Sequence, residues 1–198
     1  MDPASGKLLQ FGLIGLVVAA ALVAGFELKP AGILPVNGTF IIEITNVAPD
    51  ISAPGFACGD CEVTSLNVTV DSVKIHRAGA FNITGEWVEI VSTARTIDIM
   101  RVKNAAELLG SVSLSEGTIT SVRLHLTQAV ARIAKFEQPN TLIVPSDELK
   151  ISLHSSAVVR SGMTTTIVVD FQPHVVCQGN GECRLTPVLA VKEIRGPR

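Results

Sequence analysis

The sequence predicts an all-β sandwich with one short helix, carried behind a single N-terminal transmembrane or signal helix. Three observations lead there. An uncharged apolar run fills Leu8 to Phe26, short β-branched runs separated by turn residues fill the chain after Gly38, and four cysteines sit in two glycine-containing loops. The 198 residues are 47% hydrophobic and only 17% charged, an apolar average that points to a membrane or export segment. Removing the first run leaves about 170 residues, enough for one domain with its own core and too few for two. The organisation is therefore a membrane anchor or signal segment over 1–26, a Pro/Gly tether over 27–38, and a β-sandwich domain over 39–198.

The first run, LLQFGLIGLVVAAALVAGF, is 19 residues long with Gln10 as its one polar side chain. As a helix it is about 28 Å long, close to the roughly 30 Å of a bilayer's hydrocarbon core. A buried core helix of a small domain would show a polar stripe, and this run has none. Ala19, Ala20, Ala21 and Ala24 would suit a signal-peptidase site, but the run is longer than the usual signal-peptide core, which favours retention as an anchor. Asp2, Lys7 and the terminal amine precede the run, a small positive excess, while Glu27 and Lys29 cancel after it. That bias predicts a cytoplasmic N-terminus and a single-pass protein of the cytoplasmic membrane, with its C-terminal domain extracytoplasmic. The lipid bilayer is the partner of residues 8–26. Pro30, Gly32, Pro35 and Gly38 then mark a semi-extended tether.

Strand signals begin at Thr39. Thr39 to Val47 alternates around Phe40, Ile42 and Ile44, and Glu62 to His76 carries Val63, Leu66, Val68, Val70, Val73 and Ile75. Further strands are predicted over Glu86 to Val91, Thr118 to Ala129, Val130 to Phe136, Thr141 to Val144, Lys150 to Ser152, Ala157 to Val159, Thr164 to Phe171 and Arg184 to Ile194. Their regular spacing, with Gly, Pro, Asn and Ser between, is the pattern of a sandwich. One segment differs. Ile97, Met100, Ala105 and Leu108 fall near helical spacing with Gly110 just beyond, which predicts a short helix or turn over Val102 to Leu109 with Met100 and Leu108 in the core. Trp87 is expected in the core as well.

The order of these segments resembles a prokaryotic domain-of-unknown-function family, number 4382. The matching stretches include Gly38-Thr39-Phe40 leading to Ile44-Thr45-Asn46-Val47, then Val68 to His76, Trp87-Val88-Glu89-Ile90, Glu116-Gly117, Leu142 to Ser146, Val169-Asp170-Phe171 and Leu185-Thr186-Pro187-Val188. The resemblance spans about residues 38 to 192. It implies an immunoglobulin-like or transthyretin-like β-sandwich that is exported or lipid-anchored, and it brings no catalytic residues. Asn46 stands where the family tends to have Asp, and both cysteine-bearing loops depart from its pattern.

Cys58 and Cys61 form a C-x2-C loop, and Cys177 and Cys183 bracket a turn near the C-terminus. An even cysteine count in an exported domain argues for disulfides. Local pairing and two crossed pairings are open, and a crossed bridge would contribute about 4–5 kcal/mol by closing a loop of over a hundred residues. Four thiolates at this spacing also fit zinc or iron, which makes a metal or electron-transfer centre the alternative chemistry. His174 would join such a cluster. A redox-active C-x-x-C is disfavoured because no thioredoxin-like βαβ pattern surrounds Cys58.

Lys plus Arg number 16 against 18 acids, net −2, so nucleic acid is not an expected partner. No G-x-S-x-G elbow, P-loop, dinucleotide fingerprint, H-E-x-x-H or EF-hand loop is present. No catalytic residue, and no enzyme activity, is expected. No cofactor is expected apart from the zinc or iron alternative at the cysteines. His76, His125, His154 and His174 read as scattered surface or hydrogen-bonded histidines, with His125 opposite to Leu124 and Leu126 and so facing solvent. Asp50, Asp60 and Asp170 would make a calcium site only if folding joins them; solvation, capping or turn formation is the expected role. Sequons at Asn37, Asn67 and Asn82 permit glycosylation on an exported face, Asn67 only if its side chain points outward.

These readings converge on an anchored envelope module that binds a protein or glycan partner. The alternative is a structural subunit of an extracellular filament or surface layer, a homo-oligomer with the Thr39 to Val47 strand as donor.

Overall fold

In the computed structural model, residues 37–47, 52–53, 61–79, 84–103, 105–134, 136–178 and 180–198 are described. They fall in one unit, Val36–Arg198. The apolar run over 8–26, most of the tether, and Cys58 lie outside the described residues. No helix among the described residues is long and apolar enough to cross a membrane.

The chain is built from strands: β1 (Gly38–Thr45), β2 (Ser52–Ala53), β3 (Cys61–Arg77), β4 (Glu86–Val91), β5 (Arg95–Asp98), β6 (Glu107–Leu114), β7 (Gly117–Ile133), β8 (Asn140–Thr141), β9 (Glu148–Val159), β10 (Thr164–Gln172), β11 (Val175–Cys177), β12 (Cys183–Leu185) and β13 (Val188–Arg195). A four-stranded sheet has the order β13-β10-β1-β6. Its central pair is parallel, Thr39 opposite Thr164 through Thr45 opposite Asp170, and its other pairs are antiparallel. A second sheet is organised on β3 and β7, which run antiparallel to each other. Along the far side of β3 lie β2, β5 and β4 in tandem, and along the far side of β7 lie β9 and β8.

Alternation explains the layers. Phe40, Ile42 and Ile44 of β1 are fully buried, while Thr39 is exposed and Ile41 and Glu43 in the alternate positions are part-buried. The same period puts Leu66, Val68, Val73 and Ile75 of β3, and Ile119, Val122, Leu124 and Leu126 of β7, into one shared core. In β10, Thr165 to Phe171 are buried without a break, as in a strand covered on both faces. The result is a sandwich-like all-β fold of two main sheets, with β11 and β12 paired as a small sheet of their own.

Several expectations are corrected. The segment over Val102 to Leu109 is not a helix. Asp98 accepts a hydrogen bond from the Met100 amide at 3.0 Å, a short turn ends at Lys103, and Glu107–Leu114 becomes β6. Pairing with β1 (Ile42 opposite Gly110, Glu43 opposite Leu108) overrides a spacing of three and four residues that is shared by helix and chance. Gly110 is therefore a strand residue rather than a helix cap. Leu108 points outward at 48% exposure, and Leu109 takes the core position. The two strands read across Thr118 to Phe136 are one continuous β7, and those at Lys150 and Ala157 are one continuous β9.

Candidate functional site

A sandwich has two lateral seams, where the edge of one sheet meets the edge of the other, and here they differ. On the β6 side the seam is sealed. The missing side chain of Gly110 lets the Val91 side chain of β4 close in, since a Cβ there would stand 2.5 Å from Val91 Cγ2. The Arg95 guanidinium donates to the Leu108 carbonyl and pairs with Glu107 at 2.7 Å.

On the opposite side, β13 pairs only with β10 and β9 pairs only with β7 among the described residues. Between these two edge strands lies a groove of about 700 Å³. Such a volume is in the range of ligand sites. Ile151, Leu189, Val191 and Ile194 line it and belong to or pack against the core, forming an apolar floor. Lys150, Ser152, His154, Lys192 and Glu193 supply the polar lining. Glu193 is engaged by Arg195 at 3.1 Å, and Arg195 also reaches Glu43 at 3.1 Å. Lys150 and Lys192 are exposed and have no acidic partner among the described residues. The rim therefore carries surplus positive charge.

The solvent face of the larger sheet carries a second constellation. Register places Glu89, Lys74, Arg123 and Lys150 in one row across β4, β3, β7 and β9, and Trp87, His76, Ser121 and Ser152 in the next. The Arg123 guanidinium lies 3.9 Å over the Trp87 ring and 3.2 Å from Glu148. Its Nε is buried without a hydrogen-bond partner. His76 stacks obliquely on Trp87 at 5.0 Å and shares a 2.7 Å hydrogen bond with Thr120. Trp87, expected in the core, is thus on the outer face at 36% exposure, because its partner His76 is an outward residue of β3. A shallow cavity of about 240 Å³ lies beside it, lined by Ser72, Lys74, Glu89, Arg123, His125 and Glu148. His125 bridges two carboxylates, Asp71 at 2.6 Å and Asp147 at 3.4 Å. The hydrogen bond that His125 donates to Asp71 raises the His125 pKa above its ordinary 6.5, against a smaller opposing effect of desolvation, and Asp147 adds to the rise.

Residues 37–187 match a family model described as a domain of unknown function (DUF4382). The chain belongs to the DUF4382 family. No curated protein and no solved structure matches it. The DUF4382 match runs from just before β1 through β12 and stops one residue short of β13, so it includes one wall of the groove, β9, and not the other.

Within the DUF4382 domain, Cys177 and Cys183 are bonded to each other across the β11–β12 hairpin. This excludes the crossed connectivities, and these two sulfurs are not arranged as ligands of a four-thiolate centre. Gly181, at φ +85, supplies the left-handed turn residue that lets the chain double back between them. Cys58 and the Cys61 side chain lie outside the described residues. Asp170 is buried; its Oδ1 accepts from the Val47 amide at 2.8 Å and its Oδ2 from Gln172 at 2.6 Å, a structural use. Asp50 and Asp60 are not among the described residues, and no trio of His, Cys, Asp or Glu poised for a metal occurs among those that are. Asn37 and Asn67 are exposed, Asn67 on the outward face of β3, while Asn82 lies outside the described residues. His154 lines the groove, and His174 is exposed beside the hairpin. The Thr39 to Val47 segment is held as β1 between two neighbours, so donating it would break two ladders.

Sequence reasoning missed the groove and the His125 partners. Lys150 and Lys192 come from different sheets, and no local spacing joins them.

Proposed function

We propose that this DUF4382 chain is a membrane-anchored, extracytoplasmic binding module that holds a partner protein in the seam between β9 and β13, and that it is not an enzyme. The fold is read at the finer level as immunoglobulin-like or transthyretin-like. One observation carries the functional reading: one seam is sealed by Gly110, Val91 and Arg95, whereas the other is open, floored by apolar side chains and bordered by two strand edges. An exposed edge beside an apolar trough is a recurrent means of capturing protein. The uncharged run over 8–26 supports the anchor, and the Cys177–Cys183 bridge suits an oxidising compartment.

The test is photocrosslinking in intact cells, with a photoreactive amino acid replacing Leu189 in the groove or Leu108 on the sealed side. A discrete adduct with another protein from position 189 and none from 108 is the expected result. Adducts of twice the chain's mass would instead favour the self-assembling subunit. Degradation of the domain by external protease in spheroplasts checks its side of the membrane.

A further inference from the structure

We infer that the occupant of the β9–β13 groove is an extended peptide segment with apolar residues at alternate positions and carboxylates at its flanks, added as a strand along Val188–Val191. The inference rests on the proposed binding role and names its ligand chemistry.

Three features select this ligand. First, β13 is an edge whose backbone groups on the side away from β10 have no strand partner among the described residues. An incoming extended chain completes that ladder, and its side chains then alternate between the trough and the outside. Second, the side facing the trough is apolar at Leu189 and Val191, so every second residue of the guest is matched by an apolar floor. Third, the rim charge is not balanced. Glu193, the one acid in the lining, is engaged by Arg195, which it shares with Glu43, whereas Lys150 on one bank and Lys192 on the other have no acid of their own among the described residues. Carboxylates at the ends of the guest complete those two charges and disfavour a basic segment.

The same strand also limits the length of the match. Register between β10 and β13 skips Lys192, because Val168 faces Glu193 while Val169 faces Val191. A bulge with a lysine at its crest is a recognised obstacle to strand pairing. Pairing therefore stops after Val191, and the four residues Val188–Val191 form the accepting stretch.

The experiment is selection of random linear peptides, displayed on phage, against the full chain in detergent micelles. Winners are resynthesised for fluorescence anisotropy. The expected winners alternate apolar and polar residues with Asp or Glu at the flanks. Backbone N-methylation of the central residues should abolish their binding. The variant Lys150→Glu/Lys192→Glu should bind about tenfold more weakly with an unchanged melting temperature. Basic or non-alternating winners overturn the inference, as does full binding by N-methylated peptides. If no peptide is enriched while the photocrosslinks at Leu189 still appear, the ligand chemistry is wrong and the binding role stands. If the groove instead takes polygalacturonate, or seats a second copy of the chain by analytical ultracentrifugation, both fall.

Discussion

Nδ1 of His125 lies 2.6 Å from a carboxylate oxygen of Asp71, a residue 54 positions earlier in the chain. The contact depends on a β-bulge. Ser72 faces His125 and Val70 faces Leu126, so Asp71 has no partner opposite it, and its side chain turns toward the imidazole. On its other side the ring reaches Asp147, just before β9, so one histidine ties three parts of the larger sheet together.

Because its folded pKa is raised, His125 binds its proton more tightly in the folded chain than in the unfolded one. The stabilisation is full below the ordinary value of 6.5 and is lost as pH rises through the higher folded value. With the two side chains 39% and 34% exposed, solvent screening keeps the effect below about 1 kcal/mol. Urea midpoints measured across that window should fall with rising pH in the parent and stay flatter in Asp71→Asn.

The hairpin bridge closes a loop with a sequence separation of 6 between two buried cysteines. The chain-entropy relation gives about 2 kcal/mol for a loop of this size. Cys177→Ala/Cys183→Ala should lower unfolding stability by that amount in guanidinium titrations. Hydrogen exchange should quicken at the Gln178 amide, which donates to the Glu182 carbonyl at 2.8 Å.

Asp170→Ala should cost about 1.5–3 kcal/mol, the usual worth of a hydrogen bond to a charged group, because it removes the acceptor of the part-buried hydrogen bond from the Val47 amide. Asp170→Asn, which keeps an oxygen acceptor, should recover part of the loss. Thermal unfolding of the three proteins decides this.

Gly110→Val would drive methyl groups into Val91, and overpacking of this kind costs about 1–3 kcal/mol. The expected outcome is a lower denaturation midpoint with faster amide exchange in β4 and β6 and little change in β9 and β13. Uniform loss of protection would show that Gly110 matters to the fold at large rather than to the sealed seam.

Where a strand is half-buried, its alternation was legible: Phe40, Ile42 and Ile44 mark β1, and Glu86–Val91 is a strand from end to end. His125 faces outward as its leucine neighbours imply. Reading failed where distant pairing decides. Ala105 and Leu108 mimic helical spacing, yet β6 is extended because β1 lies beside it. The residues between Ser152 and Ala157 resemble a break; β9 continues across them, but its register against β7 shifts there, with Ser152 facing Ser121 and Ala157 facing Ile119. Trp87 is outward only because of its register against His76. The sites were less legible than the fold. The open groove needs β9 and β13 from separate sheets, and the acids around His125 come from a bulge and from the segment leading into β9.

The parallel union of Thr39–Thr45 with Thr164–Asp170 has a consequence for biogenesis. The first of the described strands to leave the ribosome has its central neighbour about 125 residues behind it, and parallel pairing over such separations is slow. Until that neighbour emerges, Phe40, Ile42 and Ile44 have no completed layer to occupy. Nascent chains halted before Thr164 should therefore expose a sticky, aggregation-prone edge, and chaperones should hold the molecule longest at this stage.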